Sequence, residues 1–383
     1  MILRPYAVVQ KGEFQSGLEL VMSDAGVQEV RPLTGHPEPF VVSPAFVNGH
    51  SHLEYRGMQG KIASPGYFEW IQELMVAKKA ESDMRVRQEC IAAAHENKRT
   101  GVGYIIEHSD RPFAATALVS AGIEGVLFQE TITFYERENR AQKIAAVRAK
   151  AAEQAKVWRK PGYLTPHALH TVDEETLREF GTSREPFSIH VAETDFENQW
   201  TRDGSGPLAD FARRAGFDVP IRGKSIVQYA AELGLCRPGA QFVHCCAVDQ
   251  EDIRTMARGN VSVAHCPRSN IRLKCPPSPV REMLDAGIAV GLGLDSPASS
   301  GQIDMFEEMR AALKVACDRG QPITPSEVWQ MATNRSLLKF GQPSPTDSIG
   351  PGYNGRLIKV NVAGASGIED IIQRGRPANI GWI

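Results

Sequence analysis

Pro44-Ala45-Phe46-Val47-Asn48-Gly49-His50-Ser51-His52-Leu53-Glu54 is the stretch on which the reading of this chain turns. An apolar run from Phe40 to Val47, broken by Pro44, predicts a short buried strand. The run leads into two histidines one residue apart. Residues i and i+2 of a strand project to the same face. At a strand end, His50 and His52 can therefore offer two imidazoles to one metal ion. Taken alone, the pair reads equally well as two loop histidines, so further ligands must come from elsewhere in the chain.

Downstream of this strand, short apolar runs alternate with longer helical stretches. Strand-like runs occur at 101–107, 125–130, 162–164, 187–189, 241–243, 261–264 and 288–294. Helical patterns fill 67–77, 84–98, 137–159, 206–216, 224–234, 249–258, 279–286, 304–318 and 325–340. With the opening strand this makes eight buried strands. Such strands alternating with helices predict a parallel sheet, and eight units over roughly 250 residues suit an α/β fold of the (β/α)8 TIM-barrel type. Residues 1–40 carry short alternating stretches such as Leu18-Glu19-Leu20-Val21-Met22, and 346–383 return to a β-like composition. The expected organisation is a barrel over 41–340 and a small β-sandwich built from both termini, 1–40 plus 341–383.

Composition narrows the function class. The 383 residues carry a formal net charge of −2, with 23% charged residues and no basic stripe interleaved with aromatics. A nucleic-acid partner is not expected. Apolar runs fall well short of the roughly 20 residues needed to cross a membrane, and Met1-Ile2-Leu3-Arg4-Pro5 lacks the apolar core of a signal peptide. Seven cysteines without a regular framework fit reduced thiols in a cytoplasmic enzyme better than disulfides. A small-molecule substrate is the expected partner, and a homo-oligomer is compatible with the sequence.

The informative feature is where the polar residues fall. Histidine or aspartate follows strands one, four, five, six, seven and eight: His50 and His52, His167, His190, His244, His265 and Asp295. In a barrel of this type the C-terminal strand ends form one face and carry the active site. Three imidazoles and a carboxylate, His50, His52, His190 and Asp295, suit a divalent ion with room left for water. Zn²⁺ is the first choice, and Fe²⁺ or Mn²⁺ is compatible with the same ligands. Glu193, three residues after His190, is placed to shuttle a proton to or from that water. His244 is expected to orient water rather than to bind the metal, and Cys245 and Cys246 read as core thiols.

At this level of detail the chain resembles the amidohydrolase superfamily, in its deaminase branch with one metal ion. The matching motifs are Pro44 to Leu53, His190-Val191-Ala192-Glu193-Thr194, Val243-His244-Cys245, His265-Cys266-Pro267-Arg268-Ser269-Asn270 and Gly293-Leu294-Asp295-Ser296. They occur in the family's order. The resemblance implies that His50, His52, His190 and Asp295 bind the metal, that Asp295 also accepts the water's proton, and that Glu193 and His244 act on water and substrate ring. It implies that His167 faces the substrate. The two-metal relatives carry a bridging lysine at strand four; Gly162-Tyr163-Leu164-Thr165-Pro166 has none, so one metal is expected.

The implied chemistry is attack of an activated water on a ring carbon bearing an amino group, with Glu193 protonating the adjacent ring nitrogen and ammonia leaving. The stretches 46–54, 60–62 and 68–71 are similar to deaminases of adenine-bearing nucleosides, and above all to aminodeoxyfutalosine deaminases of menaquinone biosynthesis. Glu54, Glu69 and Trp70 are then candidates for ribose or ring contacts. The same ligand set also serves a free-base deaminase acting on guanine or cytosine, a ring amidohydrolase or a triazine hydrolase. A non-catalytic barrel used for binding is a remoter alternative, opposed by the intact ligand set. No His-Glu-x-x-His sequence is present, which argues against a zinc protease.

Overall fold

The computed structural model describes residues 1–334, 337, 340 and 348–383. Eight parallel strands carry the architecture: β1 (Phe46–Ser51), β2 (Val102–Ser109), β3 (Glu124–Thr131), β4 (Gly162–Pro166), β5 (Phe187–Val191), β6 (Ala240–His244), β7 (Ser262–His265) and β8 (Ala289–Leu292). They form two four-stranded sheets, in the orders β4-β3-β2-β1 and β5-β6-β7-β8. The sheets meet at two seams. At each, among the described residues, the pairing is a single parallel bridge rather than a ladder: Ser51 with Asp295, and Ala168 with His190. Both bridges involve predicted metal ligands or their immediate neighbours.

The strand expected from Phe40 to Val47 is two strands. Glu38–Pro44 lies in a flanking sheet, between Pro5–Gln10 and Leu357–Val360, and β1 begins after it. The switch occurs at Ala45, whose N–H donates to the Arg356 carbonyl, while that of Phe46 donates to the Gly101 carbonyl. Both strands are buried around the break, so their apolar pattern is continuous although their sheets differ. Phe46 then anchors the base of β1, edge-on to Phe306 and Trp329, in the main core between strands and helices.

Strands from both chain ends pair with each other. A five-stranded sheet runs Ile380–Trp382, Leu357–Val360, Glu38–Pro44, Pro5–Gln10, Glu13–Ser16, and a three-stranded sheet joins Ile2–Leu3, Leu18–Ser23 and Gly26–Pro32. Leu3, Val8, Leu20, Val27, Val42 and Leu357 share one buried cluster. The C-terminal segment is not wholly β: Ile368–Arg374 is a helix, with Ile368, Ile371 and Ile372 buried at helical spacing. Helices Ala114–Ala121, Glu174–Thr182 and Asp195–Arg202 were also not anticipated. They are short, and the first is Ala-rich with no polar face to show a period. The helix expected at 325–340 is Pro325–Thr333. Residues 335, 336, 338, 339 and 341–347 lie outside the described residues, and with them the expected boundary at 340/341 and the start of the β-like segment at 346. Among the described residues no helix is long and apolar enough to cross a membrane, and all seven cysteines are thiols.

Candidate metal centre and catalytic site

The strand ends bring the predicted ligands together. His52 Nε2 lies 3.4 Å from His190 Nε2. Asp295 Oδ1 lies 3.6 Å from His50 Nε2 and 3.9 Å from His52 Nε2. The close approach of β1 and the chain after β8 depends on Gly293, where a Cβ would stand 2.8 Å from both His50 Cβ and Cys266 Sγ. Asn48 locks the same seam: its Oδ1 accepts from the Leu294 N–H at 2.8 Å. Asp295 has a left-handed backbone (φ 52°), as do Ala192 (φ 52°) and His244 (φ 73°) at the ends of β5 and β6. Such conformations cost of order 1–3 kcal/mol each and cluster at functional sites.

The donor set suits a divalent cation. His52 Nδ1 is 3.1 Å from the His108 carbonyl and His190 Nδ1 is 2.7 Å from the His167 carbonyl. A ring N–H donating there leaves each Nε2 lone pair free, the usual way a ligating imidazole is oriented. Both His50 nitrogens are buried without a hydrogen-bond partner among the described residues, a cost that a metal ion at one of them would relieve in part. Burial, followed by neighbouring imidazoles, holds His50 well below the usual histidine pKa; burial also holds His52 well below it and lowers His190. Burial pushes the Asp295 carboxyl up, but His244, His52 and a Ser269 hydrogen bond outweigh it and hold it low. Among the described residues, donor atoms lie within 4.8 Å of one another in three groups: His50, His52 and Asp295; His50, His190 and His244; and His52, Glu130 and His190. The second Asp295 oxygen, Oδ2, accepts from Ser269 Oγ at 2.5 Å and Ser299 Oγ at 3.0 Å.

Glu193 and His244 stand beside this cluster, with Glu193 Oε1 3.6 Å from His244 Nε2. The other ring nitrogen of His244 is 2.8 Å from Asn270 Oδ1. The 265–270 motif thus orients His244 through Asn270 and Asp295 through Ser269. Burial takes His244 down to about 4, leaving it neutral. Burial, then Asp295 and Glu197, raises Glu193 well above the carboxylate range, against a hydrogen bond from Tyr67. The shift favours the protonated form of Glu193.

Glu197 was not anticipated. Its buried carboxylate accepts from the N–H groups of Ala192, Glu193 and Thr194 at 3.0, 2.7 and 3.4 Å, closing a capping box with Thr194. The signal was present as Thr194-Asp195-Phe196-Glu197, the Thr-x-x-Glu pattern of a helix start. Glu197→Ala leaves three N–H groups short of an acceptor at roughly 1–3 kcal/mol each. We expect a lower urea midpoint, and a fall in kcat larger than any change in KM as Glu193 loses its support.

A cavity of about 770 Å³ opens from this cluster, and His167, His170 and Trp70 line it with His52, His190 and Glu193. Glu54 stands elsewhere: its two carboxylate oxygens accept from the Asp110 and Arg111 N–H groups, each at 3.0 Å, and it is not among the residues lining the cavity. Glu69 is exposed and also outside it. His108 is buried against His50, with ring centroids 4.3 Å apart, and does not line the cavity. His36 and His95 are exposed; His265 is buried beneath the site. Tyr67, Lys78 and Glu130 line the cavity and carried no signal in the sequence. Phe68, Tyr135, Phe211, Phe217, Lys143 and Lys150 also line it.

The sequence pattern of the amidohydrolase family matches residues 41–378. The chain belongs to the amidohydrolase family. This amidohydrolase is similar to a 5-methylthioadenosine/S-adenosylhomocysteine deaminase of Haloarcula marismortui, 28% identical over 97% of this chain and 85% of that protein. It is similar to an aminodeoxyfutalosine deaminase of Deinococcus radiodurans, 29% identical over 71% of this chain and 68% of that protein. Among solved structures, an adenosine deaminase from Xanthomonas campestris with bound zinc shares the fold at a TM-score of 0.81. The identity there is 19%, over 99% of this chain and 90% of the other.

Proposed function

We propose that this amidohydrolase is a metal-dependent deaminase that converts the 6-amino group of an adenine-bearing nucleoside to a 6-oxo group, consuming one water and releasing ammonia. The observation that carries the reading is the pairing of Glu193 with His244 at 3.6 Å on the rim of the His50, His52, His190 and Asp295 cluster. Those four residues would hold a divalent cation, zinc by the type and number of its donors, which would supply an activated water at neutral pH. Asp295, ionised in the folded protein, accepts the proton that water gives up. Glu193, protonated, donates to the ring nitrogen beside the reacting carbon, so that the carbon accepts the nucleophile. His244, neutral and tied at Nδ1 to Asn270, presents Nε2 to the oxygen that develops charge. A second proton transfer releases ammonia.

In this reading the two four-stranded sheets act as one (β/α)8 barrel carrying the site, with the paired terminal strands beside it as a β-sandwich. The cavity bears on the substrate. A free base would leave most of its volume unfilled, whereas the aromatic and lysine side chains of its lining suit a nucleoside with an extended 5′ substituent carrying a ring and a negative charge. Aminodeoxyfutalosine has both, which favours a cytoplasmic role in menaquinone biosynthesis. The names of the Haloarcula and Deinococcus relatives support the adenine-nucleoside class.

Ammonia release from a panel of aminodeoxyfutalosine, S-adenosylhomocysteine, methylthioadenosine, adenosine, adenine, guanine and cytosine tests this. We expect turnover of the nucleosides, highest kcat/KM for aminodeoxyfutalosine, and none of the free bases. Preference for guanine or cytosine would refute the reading.

A further inference from the structure

Glu130 has no part in the chemistry above, yet it is buried at the C-terminal end of β3 and lines the cavity. A carboxylate oxygen of Glu130 lies within 4.8 Å of a ring nitrogen of both His52 and His190. Its Oε1 is enclosed and accepts no hydrogen bond among the described residues. A buried acceptor in that state is costly, and a donor from whatever fills the cavity relieves it. Lys78 also lines the cavity. The Lys78 ammonium is 2.7 Å from the Tyr55 hydroxyl and 3.2 Å from Asp110 Oδ2. Burial raises Glu130 to about 8, against the attraction of Lys78. The cavity wall thus presents a buried carboxyl group and an ammonium.

We infer that Glu130 is a substrate-binding residue that accepts hydrogen bonds from the sugar hydroxyls of the substrate, with Lys78 completing the sugar subsite. A hydroxyl both donates and accepts, so a vicinal diol matches a carboxyl group and an ammonium lining one cavity. A metal-ligating role for Glu130 fits less well, because His50, His52, His190 and Asp295 already supply four donors. The inference rests on the nucleoside reading and goes beyond it by assigning the residue that recognises the sugar.

The test compares kcat/KM for an adenine ribonucleoside with that for its 2′-deoxy and 3′-deoxy counterparts, in the wild type, Glu130→Gln and Glu130→Ala, with metal content measured alongside. We expect the wild type to prefer the ribonucleoside. Each variant should lose roughly 3- to 10-fold on the ribonucleoside, the range for a lost hydrogen bond between neutral groups. It should lose far less on one or both deoxy substrates, with metal per chain unchanged. Glu130→Gln keeps the volume and gives the same readout should Glu130→Ala fold poorly. An unchanged ribo-to-deoxy ratio, a wild type indifferent to the hydroxyls, or loss of metal from the variants would each overturn the assignment while leaving the nucleoside reading standing. A wild type inactive on every adenine nucleoside would overturn both.

Discussion

His190→Ala abolishes metal binding and turnover together. His190 contributes the Nε2 that faces His52 Nε2 at 3.4 Å, and its orientation is set by a 2.7 Å hydrogen bond to the His167 carbonyl. Without it the cluster keeps His50, His52 and Asp295, which closes only part of a four-donor shell. Metal analysis of the purified variant should find little or no bound ion, and ammonia release should fall to background. Ser269→Ala provides the graded comparison. It leaves every ligand in place but removes the 2.5 Å hydrogen bond to Asp295 Oδ2. Loss of an outer partner of this kind costs about 10- to 100-fold in metal affinity or activity, so added zinc should restore much of its rate. Full activity in His190→Ala after extensive chelation would show that the reaction does not depend on this cluster.

Glu193→Gln is expected to keep the metal and lose turnover by about 100- to 10,000-fold, the usual contribution of a positioned proton-transfer group. The amide preserves volume and retains an acceptor for Tyr67, but it carries no transferable proton. The pH profile adds a second readout. Burial raises Glu193 well above the carboxylate range, so the protonated donor persists above the pH at which an ordinary carboxyl ionises and is lost as pH rises through the raised pKa. The wild-type rate should therefore decline on the alkaline side, and the residual rate of Glu193→Gln should lack that limb. A near-normal rate at unchanged metal content would remove Glu193 from the mechanism.

Much of the site was legible in one dimension, for a specific reason. Parallel strands end on one face, so His50, His52, His190, His244 and Asp295 could be placed together simply because each follows an apolar strand. Residues that act through helices and loops leave no such mark. Tyr67 reaches Glu193 from the helix Tyr67–Ala80, and Lys78 reaches the cavity from the last turn of the same helix. Glu130 sits inside an apolar strand pattern, where it reads as one polar residue among several. Glu54 shows the converse. A carboxylate next to a ligand pair looks like a substrate contact, yet the backbone N–H groups of Asp110 and Arg111 use both its oxygens.

By itself, the order of residues determined the alternation of strand and helix, the donor types and their places at strand ends, and hence a metal-binding hydrolytic centre. Those properties follow from local periodicity and from which side chains can bind an ion. Tertiary structure alone decided where the chain changes sheets at Ala45, which serines and asparagine hold Asp295 and His244, and which carboxylates face the cavity rather than a backbone amide. Each of these depends on which partner lies across a gap between segments distant in sequence. That is set by how helices pack around the strands, so the His50-Ser51-His52 pair announces the metal centre while the wall that would choose the substrate emerges only on folding.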